Sequence, residues 1–536
     1  MLDEHQQPPR IEPEESGPSR PKWGNPVPEN VIGLSSHPAA AIIADPQDNT
    51  ATLRRPTGAG SRLNGIDALA AEDLPAGAKV ALRPIARGQA VLKSGLPIGI
   101  AATDIAPGTR VHAGLLGPAP AAQATAPRAP LAALAPASFE GYVRADGRVG
   151  TRNFIGVVIA SNCAATAARR TADWFDAERL AEFPHVDGVV PLIHTLGCGM
   201  EMTGEPMDLL RRTISGVIRN PNMAGAVILA LGCERNNLKL LLETQGLQPG
   251  DMLQTVTLQE VGGTNAAMEM AKAHIEKMLP IANAARRTTV PAGRLTLGLQ
   301  TGAADGFCGL SANPALGVAV DMLIAQGGTA ILSETPDLLL SGDAFAARAA
   351  SEEVAAALRE RLDWWQDYAG GRDTRLNGEL DRAAEQAGFA SGRERALDGL
   401  RKAGSTPLTA VRRYAEQVSG PGLVLMDSPD HDLVSVTGQA AAGATMIAMT
   451  TGLGSDFSSL PAPALKIASN TETFTRMADA IDIDTGAVLD GTESVQAAGE
   501  RIFAAILRHA SGEPTKGEWE AMGETGFAPW PVGICS

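Results

Sequence analysis

The stretch LTLGLQTGAADGFCGLSANPALGVAVDMLIAQGGTAILSETPDL, Leu295 to Leu338, decides the fold. Leu295 to Gln300 is short and apolar, as a buried strand is. A glycine-rich loop, Thr301 to Gly309, follows it. Asn313-Pro314 reads as an N-cap with proline at the first helical position. From Ala315 to Gln326 apolar residues recur at helical spacing. Gly327-Gly328 supplies the left-handed residues of a helix C-cap. Thr329 to Ser333 is a second buried strand, with Glu334 at its carboxyl end. This is a βαβ unit, and such sheets bind ligands beyond the carboxyl ends of their strands. Asp305, Asn313 and Glu334 are therefore expected to face one crevice as substrate-binding candidates. As polar loop residues of a purely structural unit they read equally well.

The same pattern extends outward in both directions. Strands are expected over Phe154 to Ala160, in VDGVVPLIH ending at His194, over Ala226 to Leu231, and in LQTVTLQE ending near Glu260. Polar or glycine turns follow them, which indicates a parallel α/β sheet with a site on one edge. Residues 341–420 are charged, alanine-rich and helical in pattern, and read as a helical insertion anchored by Trp364, Trp365 and Tyr368. Strand patterns return in PGLVLMDSP, ending at Asp427, and in PALKIASN, which carries Lys466 and Asn470. Towards the N-terminus, residues 118–138 form an Ala/Pro-rich linker and 31–117 a small β-rich domain punctuated by Gly and Pro. Residues 1–30 are polar and proline-rich, with no apolar core of a secretion signal, and read as a disordered tail. The expected order is tail, β-rich domain, linker, α/β body (139–340), helical insertion (341–420) and C-terminal α/β domain (421–536).

The chain has 536 residues, 44% hydrophobic and 20% charged, with a net charge of −15. That balance excludes a nucleic-acid phosphate partner, and no run of apolar residues is long enough to span a membrane. The five cysteines are widely spaced, so reduced thiols in a cytoplasmic protein are expected rather than a disulfide framework. Three of them follow strand ends, in Asn162-Cys163, Gly197-Cys198-Gly199 and Gly232-Cys233-Glu234. Thiolate, imidazole and carboxylate together suit zinc or iron, so Cys163, Cys198, His194 and Glu234 form a candidate metal set. Inert cysteines and a structural histidine are the competing reading. Arg144, Arg148, Arg152 and Lys466 are candidates for gripping a carboxylate, Arg152 foremost because it adjoins a buried strand.

GYVRADGRVGTRNFIGV, SNCAAT, HTLGCGM, LGCERNN, VGGT, DGFCGLSANPALG, GGTAILSETP, MDSPDHDLVSVTGQAAAGA and TTGLGSDF resemble the signature segments of the altronate/galactarate dehydratase family. ADPQDNTATL, LPAGAKVAL, KSGLPIG and TDIAPGTRVH resemble the SAF domain that these enzymes carry at the N-terminus. The resemblance implies a metal-dependent lyase that removes water from a sugar acid, an aldonate or aldarate, to give a 2-keto-3-deoxy acid. It implies iron(II) or manganese as cofactor and a homo-oligomer, a dimer, as assembly. Asp48, Asn49, Lys93 and His112 match SAF positions that help form the site. Asn162, Cys163, His194, Cys198, Glu234, Asp305 and Glu334 match motif positions of the body. The roles expected are His194 with Cys198 at the metal, Arg152 on the substrate carboxylate, and Lys93 or His112 in proton transfer. The chain departs from the family pattern at Ala78, where a histidine is usual, at Thr301, where a cysteine is usual, and at Leu453, where an arginine is usual. A lyase for another hydroxy acid, such as a sulfo-lyase, or a non-catalytic sugar-acid binder are the alternatives.

Overall fold

The computed structural model describes residues 41–63, 67–119, 134–370, 380–520 and 526–531. The expected tail 1–30, most of the linker and Cys535 lie outside these residues. The SAF region is built from short antiparallel strands in a four-stranded and a three-stranded sheet. A hairpin pairs Ala90–Lys93 with Leu96–Ala101. Ser94 and Gly95 make its turn at φ 55 and 74, the positive angles that a tight hairpin turn requires.

Two parallel sheets follow. The first has the order Gly188–Leu192, Phe154–Ile159, Met223–Ala230, Leu253–Thr257. Its inner strands are continuous runs of buried apolar residues, as strands covered on both faces must be. The second has seven parallel strands in the order Leu408–Arg412, Gly422–Met426, Thr329–Leu332, Thr296–Thr301, Met446–Thr451, Ala464–Ala468, Ile483–Asp484. The chain therefore runs outward in one direction from Thr296–Thr301 and then returns to its other side. Among the described residues no helix is long and apolar enough to cross a membrane.

The βαβ unit of the opening stretch is present, with its helix one turn earlier than the sequence suggests. The helix spans Ala312–Ala325 and its N-cap position is Ser311. Asn313 is thus inside the first turn, where its side chain serves tertiary contacts rather than a cap. Of the glycine pair, Gly327 takes the left-handed conformation. The helix Val495–Ala510 packs on Ala312–Ala325 and joins it to the main core.

Residues 341–420 are not a purely helical insertion. Leu408–Arg412 forms the edge strand of the seven-stranded sheet, so strands on both sides of this region belong to one domain. The reason is in the packing: the helices Glu352–Ala369 and Gly392–Leu400 cover that sheet edge and its carboxyl end. Trp365 is fully buried and stacks on Trp530, while Trp364 stacks on Tyr368.

Candidate active site

Glu334 ends the strand Thr329–Leu332 and sits in the left-handed region at φ 65. That conformation costs a non-glycine residue about 1–2 kcal/mol, and here the surroundings fix it. Ser428 Oγ accepts from the Glu334 backbone N–H at 2.9 Å. The carboxylate, fully buried, accepts from Gln300 Nε2 at 2.6 Å, from the Thr301 N–H at 3.1 Å and from Lys402 Nζ at 3.0 Å. Lys402 also donates to Thr301 Oγ1, so the threonine that replaces the usual cysteine is tied to the same lysine. Burial pushes the Glu334 carboxyl up to about 7, against the pull of Lys402.

Two more carboxylates join it. Oxygens of Glu334, Asp337 and Asp430 lie within 4.8 Å of one another. Asp337 opens the helix after Glu334, and Asp430 follows the strand Gly422–Met426, so all three stand at the carboxyl edge of neighbouring strands. Arg395 spans Asp337 and Asp430 at 3.0 and 3.1 Å. Burial and the neighbouring carboxylates Asp337 and Glu334 push Asp430 well above the ordinary range. Asp432 stands just beyond, accepting from Gln300 Nε2 at 3.0 Å, and burial raises it too.

The helix Gly392–Leu400 and the turn after it, Arg401–Ala403, organise this edge. Glu394 and Asp398, four residues apart, share one side of this helix, and Lys402 stands in the turn that follows it. Arg395 and Lys402 face the acidic crevice, while Glu394 and Asp398 meet the SAF domain. There Lys79 contacts Glu394 at 2.7 Å, and Lys93 contacts Glu394 at 3.0 Å and Asp398 at 2.5 Å, all buried. Burial works against both charges, but Asp398 and Glu394 outweigh it and hold Lys93 above its ordinary range. A side chain at Gly309 would collide with the Asp398 carboxyl, so this glycine lets the helix approach the loop. Asn313 Nδ2 donates to the Asp398 carbonyl at 2.9 Å.

The remaining predicted residues separate into groups. Asp48 accepts from the Ser94 and Gly95 N–H groups at 2.9 and 2.8 Å. Asn49 bridges Ala90 O and Leu92 N. Both therefore hold the hairpin that presents Lys93. His112 caps a short turn through Gly114 N. Asp305 is buried and spent on loop contacts, from Phe307 N, Cys308 N, Ser469 Oγ and Asn470 Nδ2. Arg152 grips Glu518 through two donors at 2.6 and 2.7 Å and carbonyls of Thr151, His509 and Glu513 through the others. It locks the C-terminal segment rather than meeting a substrate. Lys466 Nζ donates to Phe457 O at 2.8 Å inside the core.

Asn162, Cys163, Cys198 and Glu234 lie in the other parallel sheet, at its own carboxyl edge. His194 is there too, but both ring nitrogens are engaged by the backbone, Nε2 with Ile159 O at 3.0 Å and Nδ1 with Leu196 N at 3.2 Å. Burial pulls its pKa down to about 4. A neutral ring pinned at both nitrogens positions the loop and has no lone pair left for a metal. The sequence reading missed Lys79, Asp337, Glu394, Arg395, Asp398, Lys402, Asp430 and Asp432. The signals were present, as the four-residue charge spacing in RERALDGLRK and the acidic run in SPDHD after a buried strand.

Carboxylates flanked by lysine and arginine thus gather at the carboxyl edge of a parallel sheet, beside a small β domain, where folds of this class place their ligand sites. Comparison with known proteins narrows the class. Residues 39–117 match the altronate/galactarate dehydratase SAF domain, 141–283 the D-galactarate dehydratase/altronate hydrolase second domain, and 292–535 the D-galactarate/altronate dehydratase C-terminal domain. The chain is 32% identical over 492 residues to galactarate dehydratase (L-threo-forming) of Escherichia coli (strain K12), covering 87% of this chain and 92% of that one. It is 30% identical to altronate dehydratase of Bacillus subtilis (strain 168), over 82% of this chain and 88% of that one. It is 28% identical to the (2R)-sulfolactate sulfo-lyase subunit beta of Chromohalobacter salexigens, over 73% of this chain and 96% of that one. The chain belongs to the galactarate/altronate dehydratase family, and its reaction class is that of a dehydratase, a carbon–oxygen lyase.

Proposed function

We propose that this enzyme removes water across C2–C3 of a sugar acid, an aldonate or aldarate such as altronate or galactarate, to give a 2-keto-3-deoxy acid, with iron(II) or manganese as cofactor. The observation that carries the reading is the Glu334–Asp337–Asp430 group, with Glu334 buried and the two aspartates half-buried. Three carboxylates this close repel one another, and the raised Glu334 and Asp430 record that repulsion together with burial. An all-oxygen donor set fits a hard or borderline divalent cation. Glu334, Asp337 and Asp430 would hold it, and when bound it supplies charge stabilisation for an enediolate.

The chain's own groups cover the other needs. Arg395 and Lys402 bring positive charge to a substrate carboxylate in an otherwise acidic crevice. Asp432 stands outside the cation group, and burial raises its carboxyl above the ordinary range, which strengthens it as a base for the proton beside the substrate carboxylate. Lys402, ion-paired to Glu334, would serve as the acid for the departing hydroxyl. Lys93, kept charged by Asp398 and Glu394, fixes the SAF hairpin at the border of the site.

The test is an anaerobic assay with added iron(II) or manganese on altronate, galactarate, glucarate and related aldonates, read by 2-keto-3-deoxy acid formation. Metal-dependent turnover, lost in Glu334→Gln and Asp430→Asn, is expected. Folded, metal-loaded protein that turns over no sugar acid but releases sulfite from sulfolactate would replace this reading with a sulfo-lyase.

A further inference from the structure

The parallel sheet that does not carry the acidic crevice has its own convergence of reactive groups. Cys163, Cys198 and Cys233 stand on the loops that follow three adjacent strands, Phe154–Ile159, Gly188–Leu192 and Met223–Ala230, and all three are exposed at one edge. The loops are tied to one another. The Asn162 N–H donates to Leu196 O at 2.9 Å, the Asn236 N–H to Gly197 O at 2.9 Å, and Asn236 Nδ2 to Ala160 O at 2.9 Å. Gly197 adopts φ 94 with its α-carbon against Ser161, where a side chain would not fit. The neighbouring Cys163 thiol, with Cys233 and Glu234, holds Cys198 above the ordinary thiol range. Gln259 Nε2 donates to Cys233 Sγ at 3.5 Å.

Glu234 completes the set. Its residue is 6% exposed, and one oxygen accepts from the Gly232 N–H at 2.6 Å. The other oxygen, Oε1, is buried without a hydrogen-bond partner, an arrangement that costs free energy unless something positive meets it. Three exposed thiols and a carboxylate oxygen with no hydrogen-bond partner thus stand on neighbouring loops of one sheet edge. Among the described residues the group drawn within 4.8 Å is the acidic one, not the thiols. The sulfurs are thus spread more widely than the ligands of one small ion.

We propose that Cys163, Cys198 and Cys233 hold an iron–sulfur cluster, with Glu234 Oε1 facing its remaining iron. Each thiol gives its proton to solvent as its sulfur takes an iron; ferrous iron, ferric iron and sulfide are all supplied from outside the chain, the two iron states in equal parts, so that assembly needs no oxidation step. The Gln259 amide supplies a hydrogen bond to sulfur of the kind that tunes such clusters. The site is separate from the Glu334 crevice, and its existence does not depend on the dehydration reading.

The experiment is anaerobic reconstitution of the full chain with ferrous and ferric iron in equal parts and sulfide, followed by desalting. Visible charge-transfer absorption, labile sulfide and the electron paramagnetic resonance of the dithionite-reduced protein are then measured. About four iron and four sulfide per chain are expected, with most of the sulfide lost in each of Cys163→Ser, Cys198→Ser and Cys233→Ser. Glu334→Gln, which strips the acidic crevice, is expected to keep the chromophore. Circular dichroism and thermal melting of the same samples report folding, and the exposed cysteines should tolerate serine. Folded wild-type protein that takes up no sulfide, that binds only zinc or iron without sulfide, or whose serine variants keep the chromophore would overturn the proposal.

Discussion

Glu334 joins strain to chemistry in one residue. It holds φ 65 because Ser428, Gln300, Thr301 and Lys402 fix its backbone and carboxylate together. Glu334→Gln keeps the shape but removes the charge that Lys402 faces. Its kcat on the productive sugar acid should fall by about a thousandfold or more, in line with the loss of a preorganised electrostatic group, with the circular dichroism spectrum unchanged. His194 carries a different prediction. Its folded pKa of about 4 lies below the ordinary histidine value of 6.5, so the unfolded chain binds the extra proton between these pH values. Stability therefore falls as pH drops from 6.5 towards 4, by up to about 3 kcal/mol from this residue. Denaturant titrations of wild type and His194→Asn should diverge in slope across that window, and parallel pH profiles would show the ring is not the group responsible. At this scale the sequence marked Glu334 from its place after a buried strand. It misassigned Arg152 and His194 because the partners that consume them, Glu518 and the Ile159 carbonyl, are far away in sequence or part of the backbone.

Strands were legible because those covered on both faces are unbroken apolar runs, and their ends set off glycine and polar turns. The helical pattern of 341–420 was legible too, but not the place of its helix Gly392–Leu400, because a helix rich in Arg, Glu and Asp normally faces water. Here its charges are buried against the SAF domain, and only three-dimensional contact with Lys79 and Lys93 reveals this. The same pairing makes a sharp prediction. Lys93→Met leaves the Glu394 and Asp398 carboxylates buried with one cation fewer, which should cost about 3–5 kcal/mol. Adding Asp398→Asn removes part of the excess negative charge, so the double variant should lose less than the sum of the singles. Strict additivity of the two unfolding free energies would mean that Lys93 and Asp398 do not interact. Asp48→Ala should loosen the Ser94-Gly95 turn and lower activity without touching the acidic crevice, since it acts through the hairpin that bears Lys93.

For the whole molecule, a net charge of −15 draws cations and repels an anionic acid. On the proposed function, Arg395, Lys402 and the carboxylate group would divide these tasks within one crevice: a cation would neutralise the carboxylates, and the basic groups would receive the substrate. Cation binding should therefore stabilise the fold. Manganese at a hundred times its dissociation constant should add about 2.7 kcal/mol, seen as a rise in melting temperature that a chelator reverses and Asp430→Asn abolishes. The pH dependence has a definite sign. The cation needs ionised carboxylates, and Glu334 at about 7 still carries a proton in part near neutrality, while burial raises Asp430 above its ordinary range as well. Binding must then release protons, so affinity weakens as pH falls from about 8 to 6. An ordinary exposed carboxylate site would keep its affinity over that range, because its groups ionise near pH 4. Calorimetric titration with manganese in two buffers of different ionisation enthalpy counts the protons released, and a count of zero at pH 7 would separate the cation from Glu334 and Asp430.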